Sequence, residues 1–111
     1  MKVDEQTQQK IKQLSLLEQN LQSTALQKQG FQVQLMETES AIDELKDKKS
    51  GYKIVANILI QSDAETLKKE LEEKKEVLEL RIKSLEKQES KLRDKASELQ
   101  KQVMGQLESK E

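Results

Sequence analysis

Two long seven-residue repeats restrict the fold of this 111-residue chain more than any other feature. Seam positions in each repeat follow one another at alternating steps of three and four residues, which is the pattern of a coiled-coil helix. The first seam consists of Leu14, Leu17, Leu21, Thr24, Lys28, Phe31, Leu35, Thr38, Ile42 and Leu45. The second consists of Leu71, Lys75, Leu78, Ile82, Leu85, Glu89, Leu92, Ala96, Leu99 and Val103. We therefore predict helices over about 4–49 and 63–109.

Composition supports long helices and excludes an ordinary globular core. Only 33% of the residues are hydrophobic and 37% are charged, so a compact core of usual size cannot form. The chain has no proline to interrupt a helix, and no cysteine or histidine to form a disulfide or a usual structural zinc site.

Residues between the seams carry signals for ending one helix and starting the next. Gly51 suits a left-handed C-terminal cap that follows a run of lysines. Ser62 and Glu65 fit a capping box, with Asp63 as the alternative cap.

Residues 52–61 change to a β pattern. The apolar residues of this segment are Tyr52, Ile54, Val55, Ile58, Leu59 and Ile60. They flank Ala56-Asn57, which predicts a β-hairpin and hence antiparallel helices. A two-residue loop would place Val55 opposite Ile58. Alanine tolerates the positive φ of such a loop poorly, so a longer loop is the alternative.

Folding the chain about this hairpin pairs residues whose numbers sum to roughly 113, as in Leu14 with Leu99. The polar interruptions of the two seams then coincide, because Thr24 faces Glu89 and Lys28 lies one turn away. A polar layer of this kind fixes the register of a coiled coil.

An isolated two-stranded hairpin with apolar side chains on both faces is marginal in water. It could fold back onto its own helix ends. Pairing with hairpins of other chains into a closed sheet would also remove the free strand edges, and we expect this second arrangement.

The chain ends meet at the free tip of the predicted coiled coil, where apolar side chains accumulate. We call them the tip set: Val3, Ile11, Leu14, Leu16, Leu17, Leu99, Val103, Met104 and Leu107. The tip set is either ordinary surface or a soft apolar surface for protein partners.

Several other functions are disfavoured. No residue pattern indicates an enzyme or a cofactor site, and we expect neither. The net charge of −1 argues against nucleic-acid binding. No apolar run is long enough to span a membrane, and we expect a cytoplasmic protein.

The order and spacing of short motifs around the hairpin resemble a known family. These motifs are Gln27-Lys28-Gln29, Glu37-Thr38, Ala41-Ile42-Asp43-Glu44-Leu45, Tyr52-Lys53, Asn57-Ile58-Leu59-Ile60, Leu80-Arg81 and Gln88-Glu89. Residues 6–105 look like the β class of prefoldin subunits, in its archaeal form. That family often has glycine where this chain has Ala56.

The resemblance implies a mainly α fold, in which a long antiparallel coiled-coil hairpin carries a short central β-hairpin that joins an inter-subunit β-barrel. The whole chain would be one such unit. It implies an ATP-independent chaperone of two α-class and four β-class subunits. Its tips would hold unfolded client proteins and deliver them to a group II chaperonin. The rival interpretation is a structural coiled-coil spacer or adaptor without client binding.

Overall fold

The computed structural model of the chain describes residues 4–109. Helix α1 spans Glu5–Glu44 and helix α2 spans Ala64–Ser109. Between them, strands β1 (Ser50–Val55) and β2 (Ile58–Asp63) form an antiparallel hairpin. The mainly helical architecture with a short central hairpin confirms the predicted fold class. Neither helix in the described part of the chain is apolar enough over a sufficient length to cross a membrane.

The residues of both predicted seams are covered by packing in the structure. All twenty seam residues are buried or half-buried, whereas most positions between them are exposed. The second seam also continues towards the start of α2, where Leu67 (6% exposed) and Ala64 (2%) are buried. A narrow stripe of this kind gives a coiled coil rather than a broad core.

The chain forms two compact units, which we name for reference. The termini unit combines Met1–Lys28 with Ser84–Glu111, and the hairpin unit is Gln29–Lys83. In the termini unit, the Thr7 hydroxyl donates a 2.7 Å hydrogen bond to Gln106 Oε1. These two numbers sum to 113, so this contact follows the predicted pairing.

In the hairpin unit, the Arg81 guanidinium lies 5.5 Å from the centre of the Phe31 ring. Arg81 precedes Ile82, which is the predicted partner of Phe31. Its distance from the ring is within the range of a cation–π contact, so the charged side chain covers the aromatic seam residue.

Aspartates cap both helices at their N-termini. Asp4 Oδ1 accepts a hydrogen bond from the Thr7 N–H at 2.8 Å, and Asp63 Oδ2 accepts one from the Thr66 N–H at 3.1 Å. The Thr66 hydroxyl also donates to Asp63 Oδ1 at 2.7 Å. This side-chain bond, followed by the backbone bond, holds the pKa of the Asp63 carboxyl below its usual value. The cap of α2 is therefore the predicted alternative, Asp63, and not Ser62.

Helix α1 ends at Glu44, earlier than the predicted boundary near residue 49. The left-handed residue after it is Asp47, with φ of 63°, and no glycine in the described chain has positive φ. The prediction that Gly51 supplies the left-handed cap is therefore wrong. Aspartate can take this conformation, because its short polar side chain bonds locally.

Gly51 lies inside β1 and has a different role. A Cβ atom on Gly51 would lie 2.9 Å from Leu67 Cδ1 and 3.0 Å from Leu45 Cδ2. The missing side chain thus lets the hairpin approach the ends of both helices closely.

The turn of the hairpin is the predicted two-residue loop. Val55 pairs with Ile58 and Ile54 with Leu59. Ala56 and Asn57 have φ of 48° and 67°, the left-handed pair that a type I′ turn requires. Ala56 therefore adopts a conformation that costs an L-residue roughly 1–2 kcal/mol.

Candidate functional site

The hairpin exposes every one of its large apolar side chains. Their exposed fractions are 64% for Tyr52, 74% for Ile54, 47% for Val55, 62% for Ile58, 64% for Leu59 and 40% for Ile60. A cluster of exposed apolar side chains of this kind indicates an interaction site. The hairpin contacts its own helix ends at Gly51 and Lys53. This contact does not cover the six apolar side chains, so the alternative in which the hairpin buries them against its own helices is not observed.

The two faces of the hairpin differ. The strand pairing places Tyr52, Ile54 and Leu59 on one face, which we call the open face because all its residues are exposed. Lys53 and Ile60 lie on the opposite face, which we call the helix-side face. Its residues nearest the helices are half-buried, and Lys53 Nζ forms a 3.2 Å ion pair with Glu70 Oε1 of α2.

Both strand edges are available for pairing. The Ala64 N–H donates to the Lys49 carbonyl at 3.0 Å, which makes this pair a hydrogen-bonded pair of the antiparallel ladder. Because such pairs alternate along a ladder, the backbone groups of Ser50, Tyr52 and Ile54 point away from β2. The described chain contains a two-stranded sheet only, so no third strand within residues 4–109 uses these groups.

A groove lies beside β1 at the helix ends, and we call it the base groove. Its volume is about 550 Å³. It is lined by Ala41, Glu44, Leu45, Tyr52, Lys53, Leu67, Glu70, Leu71 and Lys74. Sequence reasoning did not find this groove. Only the continuation of the second seam through Leu67 could have pointed to it.

The tip set, which we predicted from sequence as one cluster, has mixed exposure. Ile11 (42%), Leu16 (59%) and Met104 (53%) are exposed, whereas Val103 is 7% exposed. The half-buried members are Leu14, Leu17, Leu99 and Leu107. Val3 lies outside the described residues. Because the side chain of Val103 is packed in the seam, it offers little surface to a partner in this conformation.

Three members of the tip set line one groove in the termini unit, which we call the tip groove. Leu16, Leu17 and Leu99 supply its apolar surface, and its volume is about 460 Å³. The rest of the lining is polar: Gln13, Asn20, Lys95, Glu98 and Gln102. Apolar side chains with a polar rim are suited to hold a short apolar segment of another protein.

The predicted polar layer includes an ion pair. Lys28 Nζ lies 2.7 Å from Glu89 Oε1, with 8% of the Glu89 side chain and 25% of the Lys28 side chain exposed. Thr24 is also buried, at 4% exposed. Breaking a covered pair is costly because the remaining charge stays partly desolvated.

The described residues include no group of three or more acidic side chains that could hold a metal ion. The geometry instead consists of two surfaces that suit protein partners: the hairpin with its base groove, and the tip groove.

Comparisons with known proteins agree with this geometry. A family model described as prefoldin subunit matches residues 8–110. The prefoldin subunit beta of Archaeoglobus fulgidus is 41% identical over 105 residues, which cover 92% of this chain and 90% of that one. The prefoldin subunit beta of Sulfurisphaera tokodaii is 35% identical over 92% of this chain and 84% of its own length.

A solved structure has the same fold. The crystal structure of the prefoldin beta subunit from Thermococcus strain KS-1 superposes with a TM-score of 0.86 at 36% identity, and the match covers 94% of both chains. Fold and surfaces together define a class: two-helix coiled-coil chains that display an apolar β-hairpin. The chain belongs to the prefoldin family, whose members are chaperone subunits that assemble with other prefoldin subunits.

Proposed function

We propose that the chain is a β-class subunit of a cytoplasmic, ATP-independent holdase. In this proposal, four copies join two α-class subunits through their hairpins. The particle holds non-native client proteins at the exposed and half-buried members of the tip set and delivers them to a group II chaperonin. Family membership supports the assembly, and the exposure of the hairpin supplies a physical reason for it.

The tip groove carries the client-binding part of the proposal. Leu16, Leu17 and Leu99 form one apolar surface that an unfolded chain could contact through a leucine or phenylalanine side chain. One such contact is weak. Several copies in one particle would hold a client by avidity, which requires neither a deep pocket nor a nucleotide.

The polar layer has a supporting role in this proposal. The Lys28–Glu89 pair and Thr24 would fix the register of the two helices, and correct register keeps Leu17 and Leu99 within the same groove. Polar seam residues define register in coiled coils at some cost in stability.

The test compares two leucines of α1 in an aggregation assay. Leu16 (59% exposed) lines the tip groove, whereas Leu26 (64% exposed) belongs to the same unit and does not line it. We expect Leu16→Ser to raise severalfold the particle concentration that suppresses aggregation of a denatured client. Leu26→Ser should leave that concentration unchanged, and the native mass of both variants should be that of the wild type.

Equal behaviour of the two variants would refute the tip groove as the client site. The native mass of the particle from source cells tests the assembly separately. A homodimer or a monomer without a second, longer subunit would favour the structural spacer.

A further inference from the structure

The base groove adjoins the free edge of β1. Its apolar lining comes from the two helix ends, through Ala41, Leu45, Leu67 and Leu71. Exposed apolar surface beside an unpaired strand favours association, so this groove is a candidate contact site for another chain.

Charge on the rim argues against an ionic ligand. The lining contains two acidic residues, Glu44 and Glu70, and two basic residues, Lys53 and Lys74, so its formal charges cancel. Lys53 and Glu70 already form an ion pair. An uncharged, apolar side chain therefore suits this groove best.

The base groove lies at the β1 edge, where it is lined by Tyr52 of the open face and Lys53 of the helix-side face, and it extends towards the helix ends on the helix-side face. A Cβ atom at Gly51 would point at Leu45 and Leu67, and Lys53 reaches Glu70 from the same face. Side chains alternate between faces along a strand, so a strand added at the β1 edge would direct every second side chain towards the groove.

The alternation of the ladder determines which side chains these are. The outward backbone groups of β1 belong to Ser50, Tyr52 and Ile54, and by the same alternation those of β2 include Leu59 and Gln61. A β2 strand from another chain that continues this antiparallel sheet would pair its outward groups with those of β1, and the side chains of these residues would then share the open face. The neighbouring residue, Ile60, would lie on the helix-side face in every antiparallel register.

We infer that the base groove receives Ile60 from a second copy of this chain, whose β2 pairs with the β1 edge. This inference rests on the proposed role of the hairpin in assembly and adds the site that a neighbour fills. Ile60 is 40% exposed and would be covered by this contact. Addition of this strand would then pair the backbone groups at the β1 edge and fill the base groove at the same time.

The absence of cysteine from the chain allows a direct cross-linking test. One preparation carries Ala41→Cys, and a second, with a mass tag, carries Ile60→Cys. The two purified full-length chains are mixed, allowed to exchange subunits, and treated with a short thiol-to-thiol reagent. The matched control replaces the first protein with Val77→Cys, an exposed residue of the hairpin unit outside the groove.

We expect Ala41→Cys to form the cross-linked dimer with the tagged Ile60→Cys chain at several times the yield that Val77→Cys gives. Equal levels, in samples whose native mass still shows an oligomer, would refute the groove contact and leave hairpin assembly intact. A purified chain that stays monomeric would refute the second copy as the occupant.

A size variant tests the same contact without cysteine. Ala41→Trp fills the base groove, and Val33→Trp places the same ring on an exposed position of α1 in the same unit. We expect Ala41→Trp to weaken self-association about tenfold or more, which corresponds to roughly 1.4 kcal/mol. Val33→Trp should have no effect. Unchanged association of both variants would overturn the inference.

Discussion

The helical seams and the hairpin place apolar side chains in opposite environments. All twenty seam residues are buried or half-buried, whereas all six large apolar residues of the hairpin are at least 40% exposed. The apolar residues of the seams are therefore covered within one chain, and those of the hairpin are not. This contrast separates what the chain stabilises alone from what it presents to other chains.

The largest expected effect comes from placing a charge on the open face of the hairpin. Leu59→Asp should abolish assembly, because each subunit would bury an unpaired carboxylate in the shared sheet. The helical content of the separate chain should not change, since Leu59 is 64% exposed there. Native mass and circular dichroism measure these two results.

Leu80→Asp is the control for this variant. Leu80 is 68% exposed on α2 of the hairpin unit, away from the sheet. If Leu59→Asp leaves the native mass unchanged, or if Leu80→Asp disrupts it equally, the hairpin is not the element that assembles.

The next largest effect is expected at the Lys28–Glu89 ion pair, which interrupts the apolar residues of the two seams. Lys28→Met leaves the Glu89 carboxylate covered without its partner and should lower the free energy of unfolding by about 3 kcal/mol. The double variant Lys28→Met with Glu89→Leu should recover most of this loss, since two apolar side chains fit a seam. Urea denaturation followed by circular dichroism gives these values.

Lys46→Met is the control for Lys28→Met, because it removes an ion pair that is exposed rather than covered. The Lys46–Asp43 pair at 3.2 Å has both side chains about two-thirds exposed, and its loss should cost less than about 0.5 kcal/mol. A double variant as unstable as Lys28→Met alone would contradict our account, because its defect would then come from packing.

The seven-residue periodicity was sufficient to predict the seams, because whether a residue belongs to a seam depends only on its spacing along the helix. It also identified the hairpin pairing, since Val55 and Ile58 flank a two-residue loop. It could not locate the end of α1, which depends on Asp47 taking positive φ. The base groove was also missed, because it depends on how closely Gly51 approaches two helix ends, and no local pattern encodes that distance.

Gly51→Ala tests this close approach. The added methyl group would lie 2.9 Å from Leu67 Cδ1 and 3.0 Å from Leu45 Cδ2. Both leucine ends can shift slightly, so we expect a loss of about 1 kcal/mol, the low end for overpacking. Thermal unfolding of the full chain measures it.

Gly30→Ala is the matched substitution on α1, where a Cβ would meet no atom within 4 Å. Alanine in a helix interior is more stable than glycine, so this variant should gain roughly 0.5–1 kcal/mol. The same change would thus have opposite signs in the hairpin and in the helix. A stabilising Gly51→Ala would show that the hairpin is not held against the helix ends.

The smallest effect is expected from the opposite substitution, alanine to glycine, at the turn of the hairpin. Ala56 has φ of 48°, a conformation that glycine adopts without steric cost. Ala56→Gly removes this strain but also makes the unfolded chain more flexible, so the net gain should be only about 0.5 kcal/mol. Ala25→Gly, at an exposed position of α1, should instead cost up to about 1 kcal/mol. Thermal unfolding of the two variants compares them, and a loss of stability in both would mean that the turn does not strain Ala56. Opposite signs would show that the backbone of the hairpin retains strain at its turn, whereas the backbone of α1 at Ala25 does not.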